Sequence, residues 1–279
     1  MTVDTSFPQD LNKAAAADAI LCVGAGKTAY VGRLESVGWH RHGAPAFIVG
    51  LAGTFRLGNE AGDWASCRAA VIPAGVRHAL ELGGDPLAVF YPEPNVATAT
   101  DLTRFGSMWE VSGGILTSQT AEAMAFRELY EDRTSLAFAG DLLDDLVDFA
   151  RAGAGPPVLD SRIARVLEWL GRHPADLTRL PQLLRNDGLS VSRFLHLFRA
   201  EIGVPFRRFR IWNRLRAASR MSLRGASLTE AAIGAGFSDS AHFSRLHRET
   251  FGITPSYIHA RLARAGLAGR TRPPSRSGA

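Results

Sequence analysis

Cysteine is nearly absent from this chain of 279 residues, and long apolar runs are missing. Cys22 and Cys67, the only two cysteines, fit no CxxC spacing, which argues against a zinc ribbon or a dithiol redox motif. Two reduced thiols are typical of a cytosolic protein. The apolar runs are far shorter than the ~20 residues that span a bilayer, and the acidic N-terminus lacks the basic and apolar segments of a secretory signal. We therefore expect a cytoplasmic protein without a membrane partner.

Acidic residues are scarce in the second half of the chain. From Val158 onward there are 21 Lys and Arg against 8 Asp and Glu, whereas residues 1–157 hold 11 against 19. The overall charge of +5 therefore hides a basic half and an acidic half. Arginine supplies all 21 positive charges of the basic half, and its planar guanidinium suits phosphate and guanine. The split favours a nucleic-acid-binding module joined to a different one, with an ordinary solvated basic surface as the alternative.

The acidic half changes character along its length. Residues 29–91 consist of short apolar segments divided by Gly, Pro and Asn-Glu turns, which predicts strands of a β-sandwich or barrel. In residues 117–150 the apolar residues recur at helical spacing. The last predicted helix must bury its apolar face either on its own domain or on a second subunit, which would give a homodimer. Residues 153–157, GAGPP, predict a linker.

The basic half predicts two helix-turn-helix units joined by a long helix. The first unit covers residues 178–203 and the second covers residues 227–252; each has a short helix, a glycine turn and a longer helix that ends at glycine. The connecting helix over residues 205–223 is roughly 28 Å long at 1.5 Å per residue, close to the ~34 Å of one DNA turn. The expected N-caps, including one for a helix at residues 160–171, are Asp160 or Ser161, Thr178, Ser190 or Ser192, Ser227 or Thr229, and Asp239 or Ser240.

The two units form an internal repeat. The aligned pairs are Phe194 with Phe243, His196 with Arg245, Leu197 with Leu246, and Gly203 with Gly252. Two similar units at a fixed spacing predict two helices that enter successive major grooves of DNA.

A specific set of residues identifies the second unit: Ala232, Gly236, Phe237, His242, Phe243, Ser244, Arg245, Phe251, Gly252, Thr254 and Pro255. On this set, residues 160–262 resemble the DNA-binding domain of the AraC/XylS family of bacterial transcription regulators. The resemblance implies an all-α domain whose two helix-turn-helix units are joined by a long helix. It also implies double-stranded promoter DNA and RNA polymerase as partners.

By this resemblance, the base-reading positions are Ser192, Leu195 and His196 in the first unit and Ser240, Ala241 and Arg245 in the second. Arg245 is the residue most expected to read a base. Four further side chains are better suited to phosphate contacts, which position a protein without specifying sequence: Arg193, Arg199, His242 and Arg248. Two residues depart from the family pattern. His196 stands where Arg is usual, and His247 stands where Phe is usual, so His247 predicts either looser packing or a phosphate contact.

Three histidines stand in two short motifs of the acidic half. The His40-Arg41-His42 motif and the segment from Pro73 to His78 resemble the two signatures of the cupin barrel. Residues two apart on a strand share a face, so His40 and His42 can both point inward, where His78 could join them. Three imidazoles can hold Zn, Ni or Fe. Ala46 stands where the cupin signature has a carboxylate or amide ligand, so the histidines could instead line a pocket for an organic effector.

Five aromatic residues of the barrel region could line such a pocket, although core packing is the simpler role for most: Trp39, Phe47, Phe55, Trp64 and Tyr91.

The sequence thus predicts an α+β chain of two domains. A cupin-like β-barrel (residues 1–95) is followed by relay or dimerisation helices with a linker (96–157), an all-α DNA-binding domain (158–262) and a basic tail (263–279). We expect a DNA-binding transcription regulator, not an enzyme, controlled by a small molecule or a metal in the barrel. Two alternatives stay open: a metal-dependent cupin enzyme tethered to DNA, and a DNA binder that ignores ligands. Position 46 argues against the enzyme, because the site carries no obvious carboxylate.

Overall fold

The computed structural model describes residues 19–131, 139–176, 178–185 and 188–264. The N-terminus, the turn predicted at residues 186 and 187, and the tail from residue 265 lie outside the described residues. Within them, no helix is both long and apolar enough to cross a bilayer.

The N-terminal region folds as two antiparallel sheets, in agreement with the predicted barrel architecture. The larger sheet has the order β1-β2-β9-β4-β7-β11-β10, and the smaller sheet has the order β3-β8-β5-β6. Their bounds are β1 (Ala19–Val23), β2 (Lys27–Arg33), β3 (Ser36–His40), β4 (Ala46–Gly50), β5 (Phe55–Asn59), β6 (Trp64–Cys67), β7 (Ala69–Ile72), β8 (His78–Glu81), β9 (Pro86–Pro92), β10 (Trp109–Ser112) and β11 (Ile115–Ser118).

Burial along the strands follows from what covers each sheet. Strands β4 and β9 of the larger sheet are buried at every residue, because one face meets the barrel interior and the other meets helices. In strand β3 of the smaller sheet, Ser36, Gly38 and Trp39 are exposed, because the outer face of that sheet meets solvent. Val37 and His40 of the same strand are buried.

Three helices pack on the outer face of the larger sheet. They are α1 (Ala99–Leu102), which continues into a 3₁₀ turn (Thr103–Phe105), α2 (Met124–Glu131) and α3 (Ala139–Arg151). Leu143, Leu146 and Val147 of α3 are buried in one cluster with Phe47 and Phe90 of the sheet. Of the two partners predicted for this apolar face, the structure therefore provides its own domain.

Residues 96–157, predicted as relay or dimerisation helices with a linker, also contain two strands. These are β10 and β11, and β11 pairs with β7 through Leu116 opposite Val71 and Thr117 opposite Ala70. The strands form because their backbone groups complete the edge of the larger sheet, a long-range pairing that helical periodicity does not register.

The C-terminal region is all-helical, as predicted. Its helices are α4 (Ser161–Arg172), α5 (Leu180–Leu183), α6 (Val191–Ile202), α7 (Phe206–Leu223), α8 (Leu228–Gly234), α9 (Ser240–Phe251) and α10 (Pro255–Arg264). Helix α7 is the predicted connecting helix. Four N-caps are settled by their side-chain hydrogen bonds: Asp160, Ser190, Ser227 and Asp239.

Thr178, in contrast, does not cap the short helix. Helix α5 begins at Leu180, and both the backbone nitrogen and the hydroxyl of Thr178 donate to Asp176 Oδ1 at 2.6 Å. The side chain of Asp176 thus stabilises the turn that precedes the helix.

One hydrophobic core continues from the barrel interior into the C-terminal helices. It joins Tyr30, Ile48 and Val89 of the sheets to Phe198 and Trp212 of the helices. Trp212 is fully buried, and a β-carbon at Gly43 would lie 2.5 Å from the β-carbon of Trp212. The helices therefore pack directly on the barrel.

Candidate functional site

The three predicted histidines form one buried cluster at the meeting of β3 and β8. His40 ends β3 and pairs with His78, the first residue of β8, while His42 follows two residues later. The Nε2 atoms of His40 and His42 are 2.9 Å apart, and one ring nitrogen from each of the three residues lies within 4.8 Å of the others. The predicted convergence is confirmed, and the cluster could hold a metal ion.

Hydrogen bonds orient two of the three rings. Nδ1 of His40 donates to Gly38 O at 2.7 Å, and Nδ1 of His78 donates to Val76 O at 3.0 Å. Each bond makes Nδ1 the protonated nitrogen of its ring, the tautomer of metal-binding histidines held by an outer carbonyl. Nε2 of His40 then accepts a hydrogen bond from Nε2 of His42. Among the described residues, His78 Nε2 and His42 Nδ1 are buried without a hydrogen-bond partner.

Burial also sets the protonation state of the cluster. It lowers the pKa of His40 to about 4 and holds the pKa values of His42 and His78 well below the ordinary value of 6.5. The three rings are therefore neutral near pH 7, which is the form that binds metals. Ring chemistry, ring orientation and the unpartnered nitrogens all fit a metal ion.

Tyr91 is the one predicted pocket aromatic that reaches the cluster. Its hydroxyl is 3.3 Å from His42 Nε2, and the two rings meet edge to face at 4.7 Å. Phe47 and Phe55 are buried in the core, whereas Trp39 and Trp64 are partly exposed and pack on each other at 6.1 Å.

A cavity lies beside the histidines, between the barrel and the C-terminal helices. It is partly open to solvent. The lining is mostly apolar and comes from both regions. The N-terminal region contributes, among others, Leu21, Tyr30, Val37, His40, His42, Ile48, Val89 and Tyr91, and the C-terminal region contributes Arg216, Ser219, His247, Phe251, Ile253 and Ile258.

The predicted DNA-contacting residues lie on the second helix of each unit, α6 and α9. Buried Phe194 and Phe198 fix α6, and buried Phe243 fixes α9, so the opposite faces point to solvent. Nine of the ten predicted side chains are exposed: Ser192, Arg193, Leu195, His196, Arg199, Ser240, Ala241, Arg245 and Arg248. His242 is half-buried, and its Nδ1 lies 3.0 Å from Ser238 Oγ.

Comparison with known proteins agrees with this geometry. Residues 184–261 match the family model of a helix-turn-helix domain. The transcriptional activator NphR of Rhodococcus is 38% identical over 107 residues, 38% of this chain and 31% of that protein. The transcriptional activator RhaS of Escherichia coli is 31% identical over 163 residues, 56% of this chain and 58% of that protein. Residues 184–261 form an AraC-type helix-turn-helix domain.

The likeness to a solved structure extends beyond the AraC-type domain. The crystal structure of unsaturated fatty acid bound ToxT from Vibrio cholerae has a TM-score of 0.55 at 12% identity, covering 90% of this chain and 100% of that one. At this identity the likeness shows a shared fold. The chain spans between 31% and 58% of the length of the two curated relatives.

His247 of the AraC-type domain is neither loosely packed nor placed for a phosphate. It is 6% exposed, and its Nδ1 donates to Ile253 O at 2.8 Å. Its ring packs on Phe251 at 4.8 Å and on Phe243 at 5.8 Å, and burial lowers the pKa of His247 to about 4. Both predictions for this residue are wrong, because a neutral imidazole fills the core position and its N–H finds a backbone carbonyl.

Arg216 of the AraC-type domain faces the barrel instead of DNA. The guanidinium is buried, forms an ion pair with Glu93, and donates to Thr28 Oγ1 at 3.0 Å and Gly24 O at 2.6 Å. Sequence reasoning counted it within the basic surface. The only signal was its place in α7 among the apolar neighbours Trp212 and Leu215, which is weak in an arginine-rich helix.

Each recognition helix ends against the barrel. Gly38 N donates to Gly252 O at 3.3 Å and Arg41 N donates to Glu249 O at 3.2 Å, which ties the end of α9 to β3. Beyond the end of α6, Val204 lies so close to the loop before His78 that a β-carbon at Gly75 would be 2.9 Å from Val204 Cγ1.

Proposed function

We propose that this chain is a sequence-specific DNA-binding transcription regulator controlled by a ligand in its N-terminal barrel. One observation carries the proposal. Two recognition helices of an AraC-type region, α6 and α9, present exposed side chains to solvent while their opposite faces and their ends are held by α7 and the barrel. The proposal is supported by the relatives NphR and RhaS, both named as transcriptional activators.

The two recognition helices would read DNA unequally. Helix α9 presents Arg245, whose guanidinium can donate two hydrogen bonds to a guanine edge. Helix α6 presents His196 at the aligned position, and an imidazole lacks that two-pronged geometry. We therefore place the stronger base contact in the second unit, and assign Arg193, Arg199, His242 and Arg248 to phosphate contacts.

Replacing Arg245 by alanine tests this function. Loss of a two-pronged guanine contact costs about 1–3 kcal/mol, so affinity for a site obtained by binding-site selection should fall roughly 10- to 100-fold. The measurement is fluorescence anisotropy with the selected duplex and a scrambled duplex at one fixed salt concentration. Affinity for the scrambled duplex should change little, because the lost contact reads a base.

Two further variants distinguish the loss of a base contact from the loss of positive charge as the cause of weaker DNA binding. Arg248→Ala should weaken both duplexes alike, because a phosphate contact carries no sequence preference. Arg104→Ala removes an exposed arginine from the N-terminal region and should leave both affinities unchanged. The assignment fails if Arg245→Ala keeps its preference for the selected duplex.

We assign the cavity between the barrel and the AraC-type domain to an apolar small-molecule effector. Its lining is mostly apolar, and it reaches both β3 and the end of α9 through Val37, His40 and Phe251. The ToxT relative carries an unsaturated fatty acid in its crystal structure, which is consistent with an apolar ligand here. An effector in this position would touch the residues that hold the second recognition helix.

A thermal-shift screen of unsaturated fatty acids and small aromatic compounds tests the effector assignment. A ligand present at 100 times its Kd stabilises the folded chain by about 2.7 kcal/mol, which should raise Tm by several degrees. Ser219→Phe, which narrows the cavity, should abolish the shift, whereas Ser256→Phe on the exposed face of α10 should preserve it. An equal shift in both variants would place the ligand elsewhere.

We also assign a divalent metal ion, zinc, nickel or iron, to the histidine cluster. Nε2 of His40 and of His78, with a ring nitrogen of His42, would hold it. A metal ion there would join β3 to β8 through strong bonds in place of weak ring contacts. Among the described residues that line the adjoining cavity there is no aspartate or glutamate, so the site lacks the carboxylate that acid–base catalysis would use. This favours regulation over the enzymatic alternative.

A further inference from the structure

The position that lacks the expected carboxylate lies beside Tyr91. Strand β4 pairs with β9 through Phe47 opposite Phe90 and Ile48 opposite Val89, so the next pair along the ladder is Ala46 with Tyr91. Residues directly opposite each other in an antiparallel pair have side chains on the same face of the sheet. The small side chain of Ala46 therefore leaves room on that face, and the hydroxyl of Tyr91 reaches His42 Nε2 at 3.3 Å.

We infer that Tyr91 is a fourth ligand of the metal held by His40, His42 and His78, in place of the missing carboxylate. The inference rests on the metal assignment made above. Metal bonds of 2.0–2.1 Å place neighbouring ligand atoms about 2.9–3.4 Å apart, depending on geometry. The distance between Tyr91 Oη and His42 Nε2, 3.3 Å, and that between His40 Nε2 and His42 Nε2, 2.9 Å, both fall in this range.

Two tyrosines, Tyr30 and Tyr91, line the cavity, and their hydroxyls have different hydrogen-bond partners. The hydroxyl of Tyr30 donates to the backbone carbonyl of Arg33 at 3.2 Å. The hydroxyl of Tyr91 instead forms a hydrogen bond with Nε2 of His42. A metal ion bound there would stabilise Tyr91 as the phenolate, with the phenol proton released to solvent. Three ring nitrogens and one phenolate oxygen would then hold the ion.

Ferric iron is the probe that tests this inference, because a phenolate bound to it absorbs visible light by charge transfer. The full chain is stripped with chelator, loaded with one equivalent of ferric iron, and examined by absorption and resonance Raman spectroscopy. The wild-type chain and Tyr30→Phe should show the charge-transfer band and tyrosinate vibrations, whereas Tyr91→Phe should bind iron without them. Zinc affinity of Tyr91→Phe, measured by competition with a chromophoric chelator, should fall roughly 10- to 100-fold, as expected when a site loses an important group.

Each outcome bears on a different claim. An identical band in wild type and Tyr91→Phe, or iron bound by the wild type without tyrosinate vibrations, overturns the role of Tyr91 and leaves the histidine site intact. Failure of the wild type to bind zinc, nickel or iron overturns the metal assignment as well, while the DNA-binding proposal is tested separately by Arg245. Because the vibrations are measured on the wild-type chain, the test survives even if Tyr91→Phe does not fold.

Discussion

Replacing Arg216 by alanine should lower the free energy of unfolding by about 3–5 kcal/mol, because it strands a buried charge. Arg216 is 5% exposed and satisfies Glu93, Thr28 and two backbone carbonyls of the barrel at once. Without the guanidinium, the partly buried carboxylate of Glu93 loses its ion-pair partner in the interface. Urea denaturation of the full chain measures the loss, and separation of the two regions should appear as a first transition.

The matched control is Arg207→Ala, on the same helix but exposed. Its unfolding free energy should stay within about 0.5 kcal/mol of wild type. A double variant, Arg216→Met with Glu93→Leu, should recover part of the stability, since apolar replacement of both partners of a buried ion pair is often tolerated. Equal stability of Arg216→Ala and Arg207→Ala would show that the ion pair does not hold the barrel to the helices.

Gly252→Ala should destabilise the chain by about 2–5 kcal/mol, from a left-handed backbone and from a clash. Gly252 has φ +74°, and a β-carbon there would lie 2.5 Å from Gly38 O and 2.9 Å from His40 Nδ1. The backbone oxygen of a paired strand cannot move aside as a flexible side chain would. The end of α9 must therefore separate from β3, and thermal denaturation followed by circular dichroism measures the cost.

The internal repeat provides the control for this variant. Gly203 ends α6 in the same way, with φ +82°, but the nearest atom to a β-carbon there is Ala74 Cβ at 3.7 Å. Gly203→Ala thus carries the backbone penalty of about 1–2 kcal/mol without the clash. The difference between the two variants isolates the contact with the barrel. If both lose the same stability, β3 does not restrain α9.

Local patterns predicted the parts of the fold that depend on local physics. The recognition helices and α7 follow from apolar periodicity and from Gly203 and Gly252 at their ends. The convergence of His40, His42 and His78 followed from strand alternation together with the cupin resemblance. The outward positions of Arg193, His196 and Arg199 on α6 followed from the same periodicity, whereas the other DNA-contact positions on α6 and α9 followed from the AraC/XylS resemblance.

The features that escaped prediction depend on contacts distant in sequence. Strand β11 is stabilised by pairing with β7, and Arg216 is buried by barrel residues nearly 200 positions earlier. His247 is accommodated because its Nδ1 donates a hydrogen bond to Ile253 O, which lies beyond the end of α9. In each case the sequence pattern around the residue does not indicate which distant residue will contact it.

The contacts at Gly38 and Gly75 connect the barrel to the AraC-type domain at the ends of both recognition helices. Gly38, two residues before His40, donates a hydrogen bond to the end of α9, and Gly75, three residues before His78, lies against Val204 beyond α6. Helix α7 contacts both α6 and α9. The barrel and helices α6, α7 and α9 are closely packed against one another, and packed interiors do not deform continuously. We therefore expect a change in the gap between β3 and β8 to alter the distance or tilt between α6 and α9. If the chain binds DNA as proposed, such a change would alter the spacing of the DNA sites that the two helices contact together.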